Sequence, residues 1–122
     1  MKKNMFRSKF LQAVLFIFFF LCFSSQPSYA TAPKSVNLIY DMNTQTLSVT
    51  INHYTLSAGM HYIKNVEIKK NGTTISINKY STQPKSSIFT YTYNIPAAKG
   101  DVFEVTATCS LWGHKTATLT VP

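Results

Sequence analysis

The sequence predicts an all-β protein, an immunoglobulin-like antiparallel β-sandwich of about seven strands that follows a cleavable export segment. Three observations favour this fold. From Thr31 onward the chain is rich in Thr, Val, Ile and Tyr, which suit a pleated, half-buried surface. Apolar residues in this part recur at every second position, which is the period of a β-strand. Turn-forming residues separate these segments at the short intervals that are typical of a β-sandwich.

The N-terminal segment has the order of a secretory signal peptide. A basic cluster comes first, an unbroken apolar run over 13–23 follows, and the small residues Ser28 and Ala30 precede the expected cut. The apolar run is too short to cross a bilayer as a helix. We therefore expect a signal peptide at 1–30 and one domain at 31–122. The domain would be periplasmic or extracellular, with no membrane contact after cleavage.

The charge balance argues against a nucleic-acid partner. The whole chain carries 12 Lys+Arg against 4 Asp+Glu, a net charge of +8. Part of this excess belongs to the signal peptide, and residues 31–122 keep eight lysines, four carboxylates and no arginine. Arginine is the usual residue for reading base edges and for clamping phosphates in a bidentate manner. A mildly basic domain that contains only lysine is therefore not expected to bind nucleic acid.

The first three strands are predicted by alternation. Apolar residues at 36, 38 and 40 mark the first strand, and the turn-rich stretch 41–44 ends it. In the second strand the residues at 47, 49 and 51 share one face, and His53 continues that face at the strand end. A loop around 57–59 leads to a third strand, which opens near His61 and carries apolar residues at 63, 66 and 68.

The remaining strands follow from turn signals and alternation together. Asn71-Gly72 is the strongest two-residue hairpin signal in the chain and predicts a fourth strand around 75–77. A polar connection over 81–87 separates it from a fifth strand at 89–93. The sixth strand has inward residues at 103, 105 and 107, with Cys109 on the same face at its end, and a seventh strand covers 117–121.

The residues that can carry chemistry gather at predicted strand ends. His53 and Cys109 each end an inward-facing strand, His61 opens the strand after the His53 loop, and His114 follows Cys109 across a short turn. Because the loops of a sandwich cluster at its two ends, these four residues can share one end. A thiolate with imidazoles suits iron, copper or zinc. The alternative for Cys109, the lone cysteine after Ala30, is that it fills core volume.

The same segments resemble the iron domain of superoxide reductases, the desulfoferrodoxin and neelaredoxin family. The resemblance lies in His53-Tyr54, in His61-Tyr62-Ile63 followed by the Asn71-Gly72 hairpin, and in the late segment Cys109-Ser110-Leu111-Trp112-Gly113-His114. The family has a seven-stranded immunoglobulin-like sandwich and a mononuclear, non-haem ferrous iron with four equatorial imidazoles and an axial thiolate. The resemblance implies imidazole ligands at His53 and His61 and the axial thiolate at Cys109.

The resemblance further implies a function. An exported protein of this kind would reduce superoxide at a Cys/His iron site with electrons from an unidentified donor. Lys34 and Lys64 would attract the anion. Ser35 and Trp112 stand where the family has two further histidine ligands, and His114 is the candidate replacement for the second of these.

This altered ligand set leaves two alternatives open. Three or four ligands also fit copper or another metal in an electron-transfer protein without catalysis, with Met60 as a candidate axial ligand. The other alternative is a metal-free immunoglobulin-like binding module whose site has decayed. The iron and copper interpretations both predict about one metal ion per chain, and the third predicts none.

Overall fold

Seven antiparallel strands in two sheets form along the segments where the sequence alternates. The strands are β1 Ser35–Asp41, β2 Thr46–Asn52, β3 Ile63–Lys70, β4 Thr73–Lys79, β5 Ile88–Asn94, β6 Val102–Cys109 and β7 His114–Thr120. One sheet has the strand order β1-β2-β5 and the other has the order β4-β3-β6-β7. The predicted all-β sandwich is therefore confirmed.

The structure is a computed structural model that describes residues 2–23 and 31–122. Its helix, α1, covers Lys2–Phe23, within the segment expected to be a signal peptide. Across the described ranges, no helix combines the length and apolar character that crossing a membrane requires. The expected cleavage site after Ala30 lies outside the described residues, so export remains a prediction.

The core lies between the two sheets and is built by the alternating residues of their inner strands. The side chains with no exposed surface are Leu47, Val49 and Ile51 of β2, Ile63, Val66 and Ile68 of β3, and Phe103, Val105 and Ala107 of β6. Burying a side chain of this size contributes about 1.5–3 kcal/mol. The whole hydrophobic cluster falls within residues 36–121, so the core is complete without α1.

An irregularity in β3 explains why its inward residues are not evenly spaced. Ile63 pairs with Cys109, but the next pair is Asn65 with Thr108, so the register shifts between the two. A β-bulge inserts one extra residue into a strand, and here it lets both Ile63 and Val66 face the core. Because β3 and β6 are antiparallel, the start of β3 lies opposite the end of β6.

The predicted hairpin turn at Asn71-Gly72 is confirmed. Lys70 pairs with Thr73, which leaves two residues in the loop, and both have positive φ angles of 52° and 83°. That combination belongs to the type I′ turn, whose twist matches that of the flanking strands. The turn sets the β3–β4 register at the end of the sandwich opposite the histidines.

Candidate metal centre

Three of the predicted site residues meet at one end of the sandwich, which we call the metal end. His53, His61 and Cys109 each offer one potential ligand atom, and these atoms all lie within 4.8 Å of one another. With bond lengths of 2.0–2.3 Å, tetrahedral ligands are about 3.3–3.8 Å apart. Side-chain adjustments of about 1 Å therefore suffice to close the group around a metal ion.

Two of the three residues are positioned by strand ends and the third by a loop turn. His53 continues the inward alternation of β2, its N–H donates to Ser87 O at 2.8 Å, and its side chain is 2% exposed. Cys109 ends β6, and its N–H donates to Gly113 O at 2.9 Å to close the turn into β7. His61 lies in the loop two residues before β3, where its N–H donates to Ser57 O at 2.8 Å. Strand pairing and one loop turn thus bring the three side chains to the same end.

Gln83 determines which His53 nitrogen carries the proton. Its Nε2 donates to His53 O at 2.9 Å and to Lys85 O at 2.8 Å, so its Oε1 must act as an acceptor. This Oε1 accepts the Ile63 N–H at 3.3 Å and lies 2.8 Å from His53 Nδ1. The hydrogen-bond pattern therefore assigns a proton to His53 Nδ1. Metal-binding histidines are commonly oriented in this way by a partner on the other nitrogen.

The sequence did not point to Gln83. It is 4% exposed and lies in the connection between β4 and β5, a stretch that reads as an ordinary polar loop. The one local signal is an uncharged polar side chain directly before Pro84. That signal is too weak to identify a buried residue without the fold.

The second ring nitrogen of His53, Nε2, also faces an oxygen acceptor. His53 Nε2 lies 2.9 Å from the main-chain oxygen of Thr31. Because Gln83 holds the proton on Nδ1, a neutral His53 ring brings two lone pairs together here. Such a contact is favourable only if a second proton on the ring lies between the two atoms or if a metal ion bound beside them is shared by both lone pairs.

His61 Nε2 also lacks a hydrogen-bond partner. Among the described residues it is the buried side-chain nitrogen or oxygen atom for which the structure shows no partner. Its ring lies edge-on to that of His53, with the centroids 4.6 Å apart. Leaving a buried polar atom unpaired costs about 1–3 kcal/mol, and a ligand bound at Nε2 would remove that cost.

Cys109 is buried but not isolated from polar groups. Its side chain is 2% exposed, and the Leu111 N–H donates to Sγ at 3.4 Å. Hydrogen bonds to a ligating sulfur stabilise its negative charge and tune the metal it binds. The turn after β6 therefore both presents the sulfur and gives it a hydrogen-bond donor.

His114 does not join the group of three. It is exposed at the start of β7 and pairs with Thr108. Directly opposite residues on neighbouring strands face the same side of the sheet. Since Ala107 and Cys109 face the core, Thr108 and its partner His114 face outward. The sequence brought His114 close to Cys109 along the chain, but the sheet register separates the two side chains.

Lys34 and His114 instead line a cavity beside the metal end. This cavity of about 440 Å³ is also lined by His53, Asn52 and Lys115. Lys64 is exposed at the β3 bulge and is not part of the lining. The cavity therefore combines positive charge with a direct approach to one of the three potential ligands.

The other residues considered from the sequence have exposed or peripheral side chains. Met60 is 76% exposed, so an axial ligand role would require its loop to turn inward. Trp112 is 74% exposed. Ser35, at the start of β1, pairs with Asn52 and offers no imidazole. The described part of the chain thus assembles two histidines and one cysteine at this site.

Comparisons with protein families and curated proteins gave no match that bears on this site. No protein-family model matches the chain, and none of the curated proteins compared with it is similar. The superoxide reductase resemblance therefore stays an expectation from the residue pattern. The structure adds a coarser finding, a His–His–Cys group that could hold a metal ion.

Proposed function

We propose that this protein binds one redox-active metal ion through His53, His61 and Cys109, with iron as the metal. In this proposal the site reduces superoxide, as the resemblance implies. The observation that carries the proposal is the meeting of three ligand atoms within 4.8 Å from three separate segments of the chain. The His53 nitrogens and the Cys109 sulfur have polar partners, but His61 Nε2 has none, and a buried polar atom without a partner calls for an explanation such as a bound ion.

The donor set fits a metal ion on chemical grounds. His61 Nε2 has no partner, and His53 Nε2 faces the Thr31 oxygen. A cation at this point satisfies both nitrogens and pairs with the Cys109 thiolate. Imidazole and thiolate ligands together suit iron, copper and zinc, whereas Mg²⁺ and Ca²⁺ prefer oxygen.

The surrounding residues would orient the ligands and exclude water. Gln83 holds the His53 ring through Nδ1, and the Leu111 N–H stabilises charge on the Cys109 sulfur. A ferrous ion bound there would supply the electron that, with two protons from solvent, converts superoxide to hydrogen peroxide. Burial of His53 and Cys109 would keep bulk water away from the ligands.

The cavity beside His53 would guide the anion. Lys34, His114 and Lys115 line it, and no Asp or Glu is among its lining residues. Positive charge at the mouth of a cleft raises the local concentration of anions and their rate of encounter. Lys34 is therefore the stronger of the two lysine candidates, because Lys64 lies outside this cavity.

A second candidate function is electron transfer at a copper ion. The number of ligands favours it, since a His₂Cys set with one weak axial ligand is characteristic of blue-copper sites. A backbone oxygen can take the axial place in such sites. Thr31 O, at 2.9 Å from His53 Nε2, is a candidate for that place.

Metal analysis of residues 31–122 tests the proposal, because the core is complete within that segment. We expect about one iron per chain after anaerobic loading, with a thiolate-to-iron absorption band on oxidation and rapid consumption of superoxide. Cys109→Ser and His61→Leu should each reduce the metal content at least tenfold. Thr108→Ser, which changes the outward neighbour of Cys109, should leave it unchanged.

The alternatives give different results in the same experiment. Copper binding with intense visible absorption and no superoxide consumption would replace the iron proposal with the electron-transfer function. A folded domain that takes up no metal and whose Cys109 reacts freely with a thiol reagent would overturn both. The metal-free binding module would then be the remaining interpretation.

A further inference from the structure

The metal end of the sandwich exposes large apolar side chains on two loops. Tyr54, Leu56 and Met60 are 63%, 91% and 76% exposed on the loop between β2 and β3. Leu111 and Trp112 are 55% and 74% exposed on the turn between β6 and β7. We call these five residues the loop-tip cluster. Apolar side chains exposed to this degree in a group usually mark an interaction surface.

The two loops are tied together, so their tips form one surface. The Ser110 N–H donates to Tyr62 O at 2.8 Å, and the Ser110 hydroxyl donates to Met60 O at 3.3 Å. Tyr54 and Leu56 line a cavity of about 260 Å³ together with His61. The loop-tip cluster therefore adjoins His61 at the metal end instead of being scattered over the domain.

The opposite end, which we call the far end, does not show the same feature. In the turns and at the strand ends there, the described exposed large apolar side chains are Met42 in the β1–β2 turn and Val102 at the start of β6, at 40% and 37%. Ile39 and Ile75, at 69% and 40%, lie on the strand segments that lead to this end and not in its loops. The exposed apolar loop residues are therefore concentrated at the metal end.

Positive charge is concentrated at the metal end as well. Strand register and loop position place five of the eight lysines of residues 31–122 there: Lys34, Lys64, Lys79, Lys85 and Lys115. None of the four carboxylates lies at this end. Asp41, Asp101 and Glu104 lie toward the far end, and Glu67 lies in the middle of β3 next to Lys69. The modest net charge of the domain is therefore strongly polarised.

We propose that the metal end docks on an anionic lipid bilayer, with the loop-tip cluster inserted and the lysines against the headgroups. Each lysine near an anionic surface contributes about 1 kcal/mol of attraction. Trp and Tyr favour the interface, and Leu and Met favour the hydrocarbon below it. Projecting tips such as Leu56 need no complementary pocket in a fluid bilayer, whereas a protein partner would have to supply one. Charge complementarity selects anionic over neutral lipid.

This inference departs from the membrane-free state expected from the sequence. The sequence after residue 30 contains no long apolar segment that would predict contact with a membrane. The loop-tip cluster joins two segments about fifty residues apart, which become neighbours only through the pairing of β3 with β6. The inference does not depend on metal binding.

Trp112 makes the inference directly testable, since it is the single tryptophan of the chain. Purified residues 31–122 would be mixed with vesicles of phosphatidylglycerol or of phosphatidylcholine, followed by sedimentation and fluorescence. We expect binding to phosphatidylglycerol that is at least tenfold tighter than to phosphatidylcholine and that weakens with added salt. The Trp112 emission should shift to the blue and become shielded from acrylamide on binding.

Matched variants separate insertion at this end from general attraction. Leu56→Ser combined with Leu111→Ser should weaken binding to phosphatidylglycerol at least tenfold, while Met42→Ser at the far end should not. Lys85→Gln should weaken binding more than Lys99→Gln. Circular dichroism would establish that every variant is folded.

Several outcomes would overturn the inference. These are equal effects of the variants at the two ends, binding without any change in Trp112 emission, and failure of the folded wild-type domain to bind either vesicle. Self-association that Leu56→Ser abolishes, without vesicle binding, would assign the surface to a second copy of the chain. Selective binding of an acidic protein, again without vesicle binding, would assign it to that partner. Metal content is not a readout here, so failure of the metal proposal leaves this test intact.

Discussion

The two ends of the sandwich differ in how their polar groups are satisfied. At the far end Asp101 accepts hydrogen bonds from the Asn71 side chain at 3.0 Å and from the Ala98 N–H at 2.9 Å. Asn71 in turn accepts the Val102 N–H at 2.8 Å. At the metal end His61 Nε2 is buried without a partner. β3 has one register shift toward each end, between Ile63 and Asn65 at the metal end and between Ile68 and Lys69 toward the far end. Irregular pairing therefore does not distinguish the two ends, and the unsatisfied atom is a specific feature of the metal end.

Charges show the same contrast. Lys69 lies 3.7 Å from Glu67 and 3.9 Å from Glu104, and these are the ion pairs seen in the described part of the chain. The lysines of the metal end have no carboxylate beside them. Exposed ion pairs contribute about 0–1 kcal/mol, so their absence costs little stability. It does leave an uncompensated positive field at the metal end, where an anionic substrate or surface would approach.

Of the substitutions that compare the two ends, replacing Gln83 at the metal end should have the largest effect on stability and metal affinity. Gln83→Leu removes the partner of His53 Nδ1 and leaves the buried His53 carbonyl and the partly buried Lys85 carbonyl without their donor. We expect the free energy of unfolding to fall by about 2–4 kcal/mol. Metal affinity should fall about 10–100-fold, because the ring would lose its orientation. Urea unfolding and metal titration of residues 31–122 measure the two effects.

Gln45 offers the matched control at the far end. Its side chain also makes two hydrogen bonds to the backbone, with the Ala97 N–H and with Met42 O, but in a less buried position. Gln45→Leu should cost about 1 kcal/mol or less and leave metal affinity unchanged. Equal losses in the two variants would show that the metal end has no special dependence on its buried amide.

Two glycines, one at each end, allow a second comparison, in which we expect an intermediate difference in stability. Gly113 and Gly100 have φ angles of +86° and +89°, a region that costs an L-residue about 1–2 kcal/mol. A Cβ at Gly113 would lie 2.7 Å from the Ala32 Cβ, whereas nothing lies within 4 Å at Gly100. Gly113→Ala should therefore be the more destabilising substitution by about 1 kcal/mol or more.

Thermal unfolding of the two glycine variants measures this difference. Gly113→Ala should also weaken metal binding, because Ala32 adjoins Thr31, whose oxygen lies at His53. Gly100→Ala should leave metal binding as it is. If both variants lose the same stability, the close approach of Ala32 to the 109–113 turn does not constrain the metal end.

Asp101→Asn should have the smallest effect and a distinct pH dependence. The Ala98 N–H, followed by the Asn71 side chain, lowers the pKa of Asp101 in the folded protein below its ordinary value. A lowered pKa stabilises the fold above the unfolded-state pKa, and this stability is lost as the pH falls through the folded-state pKa. Asp101→Asn should therefore reduce stability at pH 7 more than at pH 3. Thermal unfolding at both pH values measures this, and equal losses at the two would contradict it.

The parts of the site that follow from periodicity could be read from the sequence. His53 and Cys109 were expected to face inward because each continues the alternation of its own strand, and both are buried. His114 could not be placed in this way. Its orientation depends on pairing with Thr108 across the turn, which local alternation does not specify. Gln83 was missed because its partners lie far along the chain or in an irregular loop.

What the sequence determined by itself is the set of strands, the Asn71-Gly72 turn and the inward face of each strand that carries a ligand. These features depend on interactions between residues close together in the chain, where periods and turn preferences act. Only the tertiary structure decided that His53, His61 and Cys109 meet while His114 turns away. It also decided that exposed apolar tips and five lysines lie at the same end. Those outcomes depend on which strands pair and in which register, since one residue of shift would move a side chain to the opposite face of the sheet.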